Sequence, residues 1–370
     1  MFPYIDDVSQ LLNEVSEKKE FKVNTHSEYI SIDYKFMKSN TFETDLRKEC
    51  RGIKFYRDGS VAARPFHKFF NVSKLPSEGS EGSEGSDFIL IEKIDGSLVH
   101  PFWSYRDQKF LMMTKAGVTD ISRHAQDLIN DSMVEFFQEC EKQNITPIFE
   151  FVSPNFPICL HYEEDQLFLL AMRYKNSGEY VPWCIQKEMA SQYSLNLPRV
   201  FEKSQLKNIP DWKNTEGVVI RYSNGEHFKL KTEFYLSLPS MIGNDSLNPR
   251  FITQKIIDQT VDDEFCFFPN VYQQKISSYA DKIWDFVINS MNEIENCLQQ
   301  LQLYDDKYQR VKFIQNQKRL LRPILFDLCN QDKNYNRENI EKLLCLKIQE
   351  CCRSKKMFQR LPEPFQSGLE

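Results

Sequence analysis

The hydrophobic periodicity of this 370-residue chain changes near residue 240. Residues 1–240 mix short β-rich runs with helical segments such as residues 121–143, a mixture that is typical of the α+β class. After Pro249, amphipathic spacing predicts helices over residues 271–303, 306–328 and 336–352, with few strand signals. We therefore predict two domains, an α+β domain over residues 1–240 and an all-α domain over residues 241–370.

A lysine follows a short apolar run in the first of these domains. Residues 88–91 predict a buried strand, and Lys93 precedes a turn through Asp95 and Gly96. An amine at the end of a buried strand, beside other cations, is expected to lose its proton readily and to attack phosphorus. Lys93 is therefore a candidate nucleophile for a covalent lysyl-AMP intermediate. The K-x-D-G motif alone is equally compatible with a solvated lysine before a tight turn.

A glutamate interrupts another apolar run, over residues 148–152. Period-2 alternation places Glu150 on the face of the predicted strand opposite to Phe149 and Phe151. Because a carboxylate in such a run needs a partner, Glu150 is a candidate site residue.

A hairpin is predicted further along the chain, where two β-rich runs flank an Asn224-Gly225 turn. On its second strand Lys229 and Lys231 share one face, so two ammonium groups point toward something anionic, and a triphosphate fits that description. An edge strand with a charged, solvent-facing side is the alternative for this hairpin.

In this order along the chain, the lysine, glutamate and paired-lysine motifs resemble those of the covalent nucleotidyltransferases, which include ATP-dependent ligases and capping enzymes. Residues 49–55 and 63–71 extend the resemblance to the phage-type single-strand RNA ligases and distinguish the chain from DNA ligases and capping enzymes. The resemblance implies a nucleotidyltransferase core of antiparallel sheets with helices, followed by an all-α C-terminal domain.

The resemblance also implies a role for each matching position. Lys93 is similar to the adenylylated nucleophile, Glu216 to an acid near the metal, and Lys229 and Lys231 to a pair that contacts the phosphates. Glu150 is similar to the carboxylate that binds the ribose. Further nucleotide-binding positions are implied at Tyr34, Arg51, Lys68, Phe70, Gly96, Lys115, Val219 and Tyr235.

Some of these positions have alternative interpretations. Core packing is the alternative for Phe70, Val219 and Tyr235. A solvated surface position is the alternative for Lys68 and Lys115.

The resemblance implies an ATP-dependent RNA ligase that uses Mg²⁺ or Mn²⁺ and joins RNA ends carrying a 5′-phosphate and a 3′-hydroxyl. The expected RNA is single-stranded RNA or a cleaved tRNA anticodon loop. The sequence leaves open whether a separate kinase and phosphatase prepare its ends. The alternatives are another covalent nucleotidyltransferase, such as a DNA ligase or a capping enzyme, and an RNA-binding protein without catalysis on the same fold.

Two sets of charged residues lie in the predicted helical domain. Asp262 and Asp263 resemble a carboxylate pair that holds a divalent cation away from the catalytic centre, although an acidic helix N-terminus explains them equally well. Six basic residues, with Tyr308 and Phe313 among them, occupy a stretch predicted to be helical up to Pro323. Either they follow an RNA backbone, or they form a solvated helical face. These are Lys307, Arg310, Lys312, Lys318, Arg319 and Arg322.

The net charge of −6 does not exclude nucleic acid, because binding depends on where cations cluster. No apolar run approaches the ~20 residues of a membrane span, and the first residues lack a signal-peptide pattern, so we expect a cytoplasmic or nuclear protein without a membrane partner. Residues 77–86 repeat Ser, Glu and Gly; they cannot bury apolar surface and are predicted to form a mobile loop. An inert insertion or an engineered replacement is favoured for this loop over an acidic regulatory loop.

Overall fold

A computed structural model describes residues 2–35, 37, 40–72, 87–236, 248–258, 270–330 and 336–365. The chain divides into two compact units, residues 1–240 and 241–370. The predicted Ser-Glu-Gly loop lies outside the described residues. None of the helices in the described ranges is long and apolar enough to cross a membrane.

The first unit contains antiparallel sheets with helices packed on them. Its strands are β1 (Phe21–Thr25), β2 (Tyr29–Tyr34), β3 (Ile53–Tyr56), β4 (Val61–Ala63), β5 (Phe70–Asn71), β6 (Phe88–Glu92), β7 (Ser97–Ser104), β8 (Lys109–Met113), β9 (Ile145–Val152), β10 (Gln166–Tyr174), β11 (Val200–Phe201), β12 (Gly217–Tyr222) and β13 (His227–Lys231). Its helices are α1 (Ser9–Val15), α2 (Asp45–Glu49), α3 (Asp120–Asp127), α4 (Asp131–Lys142), α5 (Trp183–Gln192) and α6 (Glu233–Leu236), with a 3₁₀ helix over Lys203–Asp211.

The strands form three sheets, with the orders β1-β2-β3-β4, β10-β9-β7-β8 and β11-β6-β12-β13-β5. Every pairing is antiparallel except that of β13 with β5. Since β6 and β7 belong to different sheets, the four residues between them carry the chain from the third sheet to the second. Lys93 is the first of these four residues.

Aromatic packing holds α4 on the second sheet. Phe136 and Phe137 of α4 and Phe149 and Phe151 of β9 belong to one buried cluster. The predicted helix over residues 121–143 is wrong in one respect, because α3 and α4 are separate helices. The Asn130 side chain accepts a hydrogen bond from the Met133 backbone N–H and caps a new helix there.

The second unit, as far as it is described, is helical. Its helices are α7 (Pro249–Ile257), α8 (Asn270–Leu301), α9 (Lys307–Gln315), α10 (Leu321–Asn330), α11 (Arg337–Cys352) and α12 (Lys355–Phe358). Trp284 of α8 and Leu344 of α11 are buried. The Tyr279 hydroxyl lies 2.9 Å from Thr253 Oγ1, which ties α8 to α7. The predicted class, an α+β part of antiparallel sheets and helices followed by a helical part, is confirmed.

The predicted helix over residues 306–328 is interrupted between α9 and α10, and it does not end at Pro323. Asn316 ends α9, and Pro323 lies in the first turn of α10. A proline is tolerated there, because the first N–H groups of a helix have no partner within the helix.

Candidate active site

Strand pairing brings Lys93 beside the hairpin of β12 and β13. The backbone N–H of Lys93 donates to the Gly217 carbonyl at 2.9 Å, directly after β6 pairs with β12. The register of the hairpin places Gly217 opposite Lys231 and Val219 opposite Lys229. The lysines and Val219 therefore lie on one face of the third sheet, whereas Leu230 packs into the core on the other face.

Glu216 joins Lys93, which directly follows β6, to Lys231, which ends β13. Lys93 Nζ lies 2.7 Å from Glu216 Oε2, and Lys231 Nζ lies 3.1 Å from Glu216 Oε1. The side chains of Glu216 and Lys231 are 3% and 9% exposed, while that of Lys93 is 21% exposed, so the nucleophile candidate is the most accessible of the three. We call this group the Lys93–Glu216–Lys231 cluster.

The expectation that cations around Lys93 lower its pKa is wrong, because carboxylates surround it. Burial disfavours the charged ammonium, but attraction by Glu216, and then by Glu150 and Asp95, outweighs that cost and raises the pKa of Lys93. Lys93 is therefore an ammonium ion in this structure and must lose a proton before it can attack an electrophile.

The hairpin is not an edge with a solvated face, so that alternative is also wrong. In the third sheet β13 lies between β12 and β5. Lys229 Nζ lies 5.3 Å from the centroid of the Phe69 ring, and Lys231 Nζ lies 4.9 Å from that of Tyr235.

Glu150 reaches the site from the second sheet. β9 pairs with β7 and places Glu150 opposite Leu98, and Glu150 is 9% exposed. Burial raises the pKa of Glu150 to about 8, although the positive charge of Lys93 opposes the shift. As predicted, Phe149 and Phe151 point into the core on the opposite face.

Replacing Glu150 by Gln is expected to stabilise the protein at alkaline pH. The folded state holds a proton on Glu150 up to about pH 8, whereas the unfolded chain releases it near pH 4.5. Because the folded state binds more protons between these values, the free energy of unfolding falls as the pH rises from 4.5 to about 8. Glu150→Gln should raise the melting temperature by about 4 °C at pH 8 and by less at pH 5. Thermal unfolding across this range tests the prediction, with the exposed Glu164→Gln as the control; equal effects of both variants would contradict it.

An unpredicted network holds the turn after Lys93. Asp95 Oδ2 accepts hydrogen bonds from the backbone N–H groups of Cys159 and Leu160 at 2.8 and 2.7 Å, and Oδ1 accepts one from the Tyr235 hydroxyl at 2.8 Å. The Asp95 backbone N–H donates to the Tyr162 hydroxyl at 3.1 Å. The Asp95-Gly96 pair predicted a turn at this position from the sequence. The contacts with residues 159–162 and 235 depend on the fold and could not be predicted.

Four candidates from distant parts of the chain form a second group, in which cations lie on aromatic rings. Lys68 Nζ lies 3.1 Å from the Tyr34 hydroxyl, and 4.6 and 6.0 Å from the ring centroids of Tyr34 and Phe70. Lys115 Nζ lies 5.2 Å from the centroid of the Tyr34 ring. Phe42, which no motif marked, completes the group; the centroid of its ring lies 5.4 Å from Lys68 Nζ.

Burial decides between the interpretations left open for Phe70 and Lys68. Phe70 is 43% exposed, so core packing does not describe it. Lys68 is 6% exposed, so it is not a solvated surface lysine. Lys115 is half-buried. An exposed aromatic ring beside a buried ammonium is suited to stacking on a nucleobase next to a phosphate.

The remaining nucleotide-site candidates have mixed environments. Arg51 lies close enough to Glu150 to oppose the rise in the pKa of that carboxyl. Tyr235 is buried under the turn after Lys93, whereas Val219 is half-buried. A Cβ on Gly96 would lie 2.3 Å from the Phe151 carbonyl oxygen, so close packing of the turn against β9 requires glycine at this position.

Candidates in the second unit are described only in part. Asp262 and Asp263 lie outside the described residues. The six basic residues from Lys307 to Arg322, which we call the basic surface, are all exposed. Tyr308 is 73% exposed, but Lys318 forms an ion pair with Glu293 at 2.6 Å. Within the described ranges, no group of three or more His, Cys, Asp or Glu side chains is arranged to hold a metal ion.

Comparison with known proteins identifies the family. The model of a family described as RNA ligase matches residues 49–235, which include Lys93, Glu150, Glu216 and both hairpin lysines. The chain belongs to this RNA ligase family. The resemblance to phage-type RNA ligases is thereby confirmed.

Two relatives and one solved structure give the extent of the similarity. The chain is 31% identical over 242 residues to "Putative RNA ligase" of Thermovibrio ammonificans, covering 62% of each chain. It is 27% identical over 214 residues to RNA ligase 1 of bacteriophage TS2126, covering 54% of each chain. The chain thus spans about three fifths and about half of their lengths. An archaeal ATP-dependent RNA ligase structure has a TM-score of 0.49 and 13% identity, over 91% of this chain and 94% of that one.

Proposed function

We propose that this chain is an ATP-dependent RNA ligase that joins a 5′-phosphate to a 3′-hydroxyl through lysyl-AMP and RNA-adenylate intermediates. The observation that carries the proposal is the Lys93–Glu216–Lys231 cluster, in which one carboxylate lies between the accessible amine of Lys93 and the ammonium of Lys231. Membership of the RNA ligase family supports it, since the family match spans these residues.

In the first step Lys93 Nζ attacks the α-phosphorus of ATP. An N–P bond forms, the bond between the α-phosphorus and the bridging oxygen breaks, and pyrophosphate leaves. Glu216 Oε2, 2.7 Å from the amine, is positioned to accept the proton that Lys93 must lose. Lys229 and Lys231, on the same face of the sheet, would stabilise the negative charge on the phosphates and on the leaving group.

Two further transfers complete the reaction. An oxygen of the RNA 5′-phosphate attacks the adenylyl phosphorus, so the N–P bond breaks and Lys93 is regenerated. The 3′-hydroxyl oxygen of the second RNA end then attacks the 5′-phosphorus, a phosphodiester bond forms and AMP leaves. The ring of Phe70 and the ammonium of Lys68 would hold the adenylyl group in place during these steps.

The carboxylates of the site are suited to a divalent cation that arrives with ATP. Mg²⁺ usually binds one or two protein carboxylates together with substrate phosphates; Glu216 supplies one beside Lys93, and Glu150 would supply a second when the cation displaces its proton. When bound, Mg²⁺ or Mn²⁺ would neutralise charge on the phosphates and favour the neutral amine of Lys93.

Labelling with radioactive nucleotides tests the proposal. Label from ATP, but not from GTP, should remain on the protein in a denaturing gel. Subsequent ligation should join a 5′-phosphorylated single-stranded RNA better than its DNA counterpart or a nicked duplex. Label from GTP would favour a capping enzyme, preferred sealing of the nick a DNA ligase, and no label a binding protein without catalysis.

We also propose that the helical second unit recognises the RNA, with a cleaved tRNA anticodon loop as the expected substrate and a separate kinase and phosphatase preparing its ends. The exposure of the basic surface supports this role, because cations that follow an RNA backbone must be accessible to it. Tyr308 adds an exposed ring next to Lys307 on which a base could stack.

Neutralising part of the basic surface should weaken RNA binding and leave formation of lysyl-AMP unchanged. For the variant Lys307→Ala, Arg310→Ala and Lys312→Ala, we expect affinity for a single-stranded RNA to fall by about tenfold or more near 0.1 M salt. The slope of log affinity against log salt should become shallower by about 0.7 per lost phosphate contact. Binding titrations at several salt concentrations measure both effects.

The control for this variant removes the same number of charges from exposed positions elsewhere in the second unit, with Lys342→Ala, Lys355→Ala and Lys356→Ala. Equal losses of affinity in the two triple variants would indicate an effect of net charge alone and would contradict a binding role for the basic surface.

A further inference from the structure

A lysine with no exposed surface lies behind the candidate nucleotide site. Lys54 of β3 donates to the carbonyl oxygens of Gly52 at 3.0 Å and Thr114 at 2.9 Å, and its Nζ lies 3.2 Å from His100 Nε2. His100 Nδ1 lies 3.1 Å from the Pro101 carbonyl oxygen, which can only accept, so the ring proton is on Nδ1. His100 Nε2 is then the acceptor for the third ammonium proton of Lys54.

The two carbonyls that Lys54 holds belong to segments that carry nucleotide-site candidates. Gly52 follows Arg51, and Thr114 precedes Lys115. The segments touch each other, since a Cβ on Gly52, which has a φ of +82°, would lie 2.7 Å from Lys115 Cα. The charge of Arg51 acts on Glu150, and Lys115 Nζ lies 5.2 Å from the centroid of the Tyr34 ring.

We propose that Lys54, supported by His100, is a positioning residue for nucleotide binding that clamps the Arg51–Gly52 and Thr114–Lys115 segments together behind the ATP site. The proposal rests on the proposed function, because it assumes that Arg51 and Lys115 contact ATP. Neither Lys54 nor His100 touches the nucleotide in this arrangement; both act through the backbone of their neighbours.

The cost of burying Lys54 supports a role beyond filling space. The described residues include no carboxylate within ion-pair distance of its ammonium, and burial lowers the pKa of Lys54 to about 7, with the charge of Asp33 partly opposing the shift. An apolar side chain of similar length would avoid this cost. The ammonium, unlike an apolar group, can bind both segments and the imidazole at once.

The clamp should also respond to pH. The groups that face Lys54 are Asp33 from β2 and His100 from β7, and Lys175 acts on His100 from beyond. Below about pH 7 the ammonium supplies three protons for three acceptors, whereas the neutral amine supplies only two. The KM for ATP in the wild-type protein should therefore rise as the pH increases through about 7, and Lys54→Met should lack this rise.

The test measures initial rates of lysyl-AMP formation in the full-length protein over a range of ATP concentrations. Lys54→Met should raise the KM for ATP by about tenfold or more while the maximal rate changes by less than about threefold, since Lys93, Glu216 and Lys231 are untouched. The matched control is Lys175→Met, which removes another buried lysine. Lys175 pairs with Glu141 and acts on His100 only through its charge, so its loss leaves the hydrogen bonds of Lys54 to the two carbonyls in place.

A double variant separates positioning from stability. Lys54→Met with His100→Leu leaves no unpaired imidazole, so it should recover most of the thermal stability lost in Lys54→Met, yet its KM for ATP should stay high because both carbonyls remain unclamped. If Lys54→Met does not fold, the KM for ATP of the double variant is compared with that of the wild-type protein instead.

An unchanged KM in Lys54→Met, or recovery of the KM in the double variant, would overturn the positioning role while wild-type labelling continues to support the proposed function. Absence of label from ATP in the wild-type protein would instead overturn the proposed function and this inference with it.

Discussion

Lys93→Ala and Lys93→Arg are each expected to abolish the covalent adduct with AMP. Only a primary amine that can lose its proton forms the N–P bond; alanine lacks the nitrogen, and the guanidinium of arginine does not deprotonate in proteins. Incubation with radiolabelled ATP, followed by a denaturing gel, should show label on the wild-type protein and none on either variant.

Thermal unfolding of the two variants provides the control. Lys93→Arg retains a cation for Glu216, whereas Lys93→Ala leaves Lys231 as the remaining ion-pair partner of Glu216 among the described residues. The arginine variant should therefore remain close to the wild type in melting temperature. A folded Lys93→Arg protein without label would assign the loss to chemistry. Persistent labelling of Lys93→Ala would show that another residue is the nucleophile.

The parts of the site that could be predicted from sequence are those fixed by local strand geometry. Strand alternation placed Lys229 and Lys231 on one face, and it separated Glu150 from Phe149 and Phe151. The Asn-Gly turn fixed the hairpin register that brings Lys231 opposite Gly217, next to Glu216. These patterns depend on residues a few positions apart, so they can be recognised without knowledge of the fold.

The parts that could not be predicted depend on segments that are distant in sequence. The protonation state of Lys93 is set by Glu216, 123 positions away, and the turn after it is held by Tyr235, 140 positions away. Lys54 meets His100 across 46 positions. No periodic pattern encodes such encounters, since they arise from the way in which the three sheets are assembled.

The break between α9 and α10 shows a different limit. Residues 316–320 keep a helix-compatible composition, and Pro323 signals a helix end when it is read along a continuous helix. Proline is equally acceptable in the first turn of a new helix. It therefore marks a helix boundary without showing whether one helix ends before it or another begins there. The basic surface is therefore divided between α9, the turn after it and the start of α10.

Lys229→Ala and Lys231→Ala are each expected to slow formation of lysyl-AMP by about a hundredfold or more, because each removes a cation from the phosphate-facing side of the third sheet. The loss should be larger for Lys231→Ala. Lys231 also forms an ion pair with Glu216 Oε1. Without it, Lys93 is the remaining ion-pair partner of Glu216 among the described contacts, so the Glu216 charge acts on Lys93 alone. That stronger pairing would stabilise the unreactive ammonium of Lys93.

Single-turnover rates of adenylylation measure both losses. The matched control is Lys109→Ala, which removes an exposed lysine from β8, a strand of another sheet. Lys231→Met, which keeps the length of the side chain but not its charge, should be as slow as Lys231→Ala if charge is what matters. Raising the pH should recover part of the Lys231→Ala rate, since deprotonation of Lys93 is the step that this variant impedes. Rates for Lys229→Ala and Lys231→Ala close to that of Lys109→Ala would remove the hairpin lysines from the reaction, and a pH-independent loss in Lys231→Ala would separate Lys231 from the protonation of Lys93.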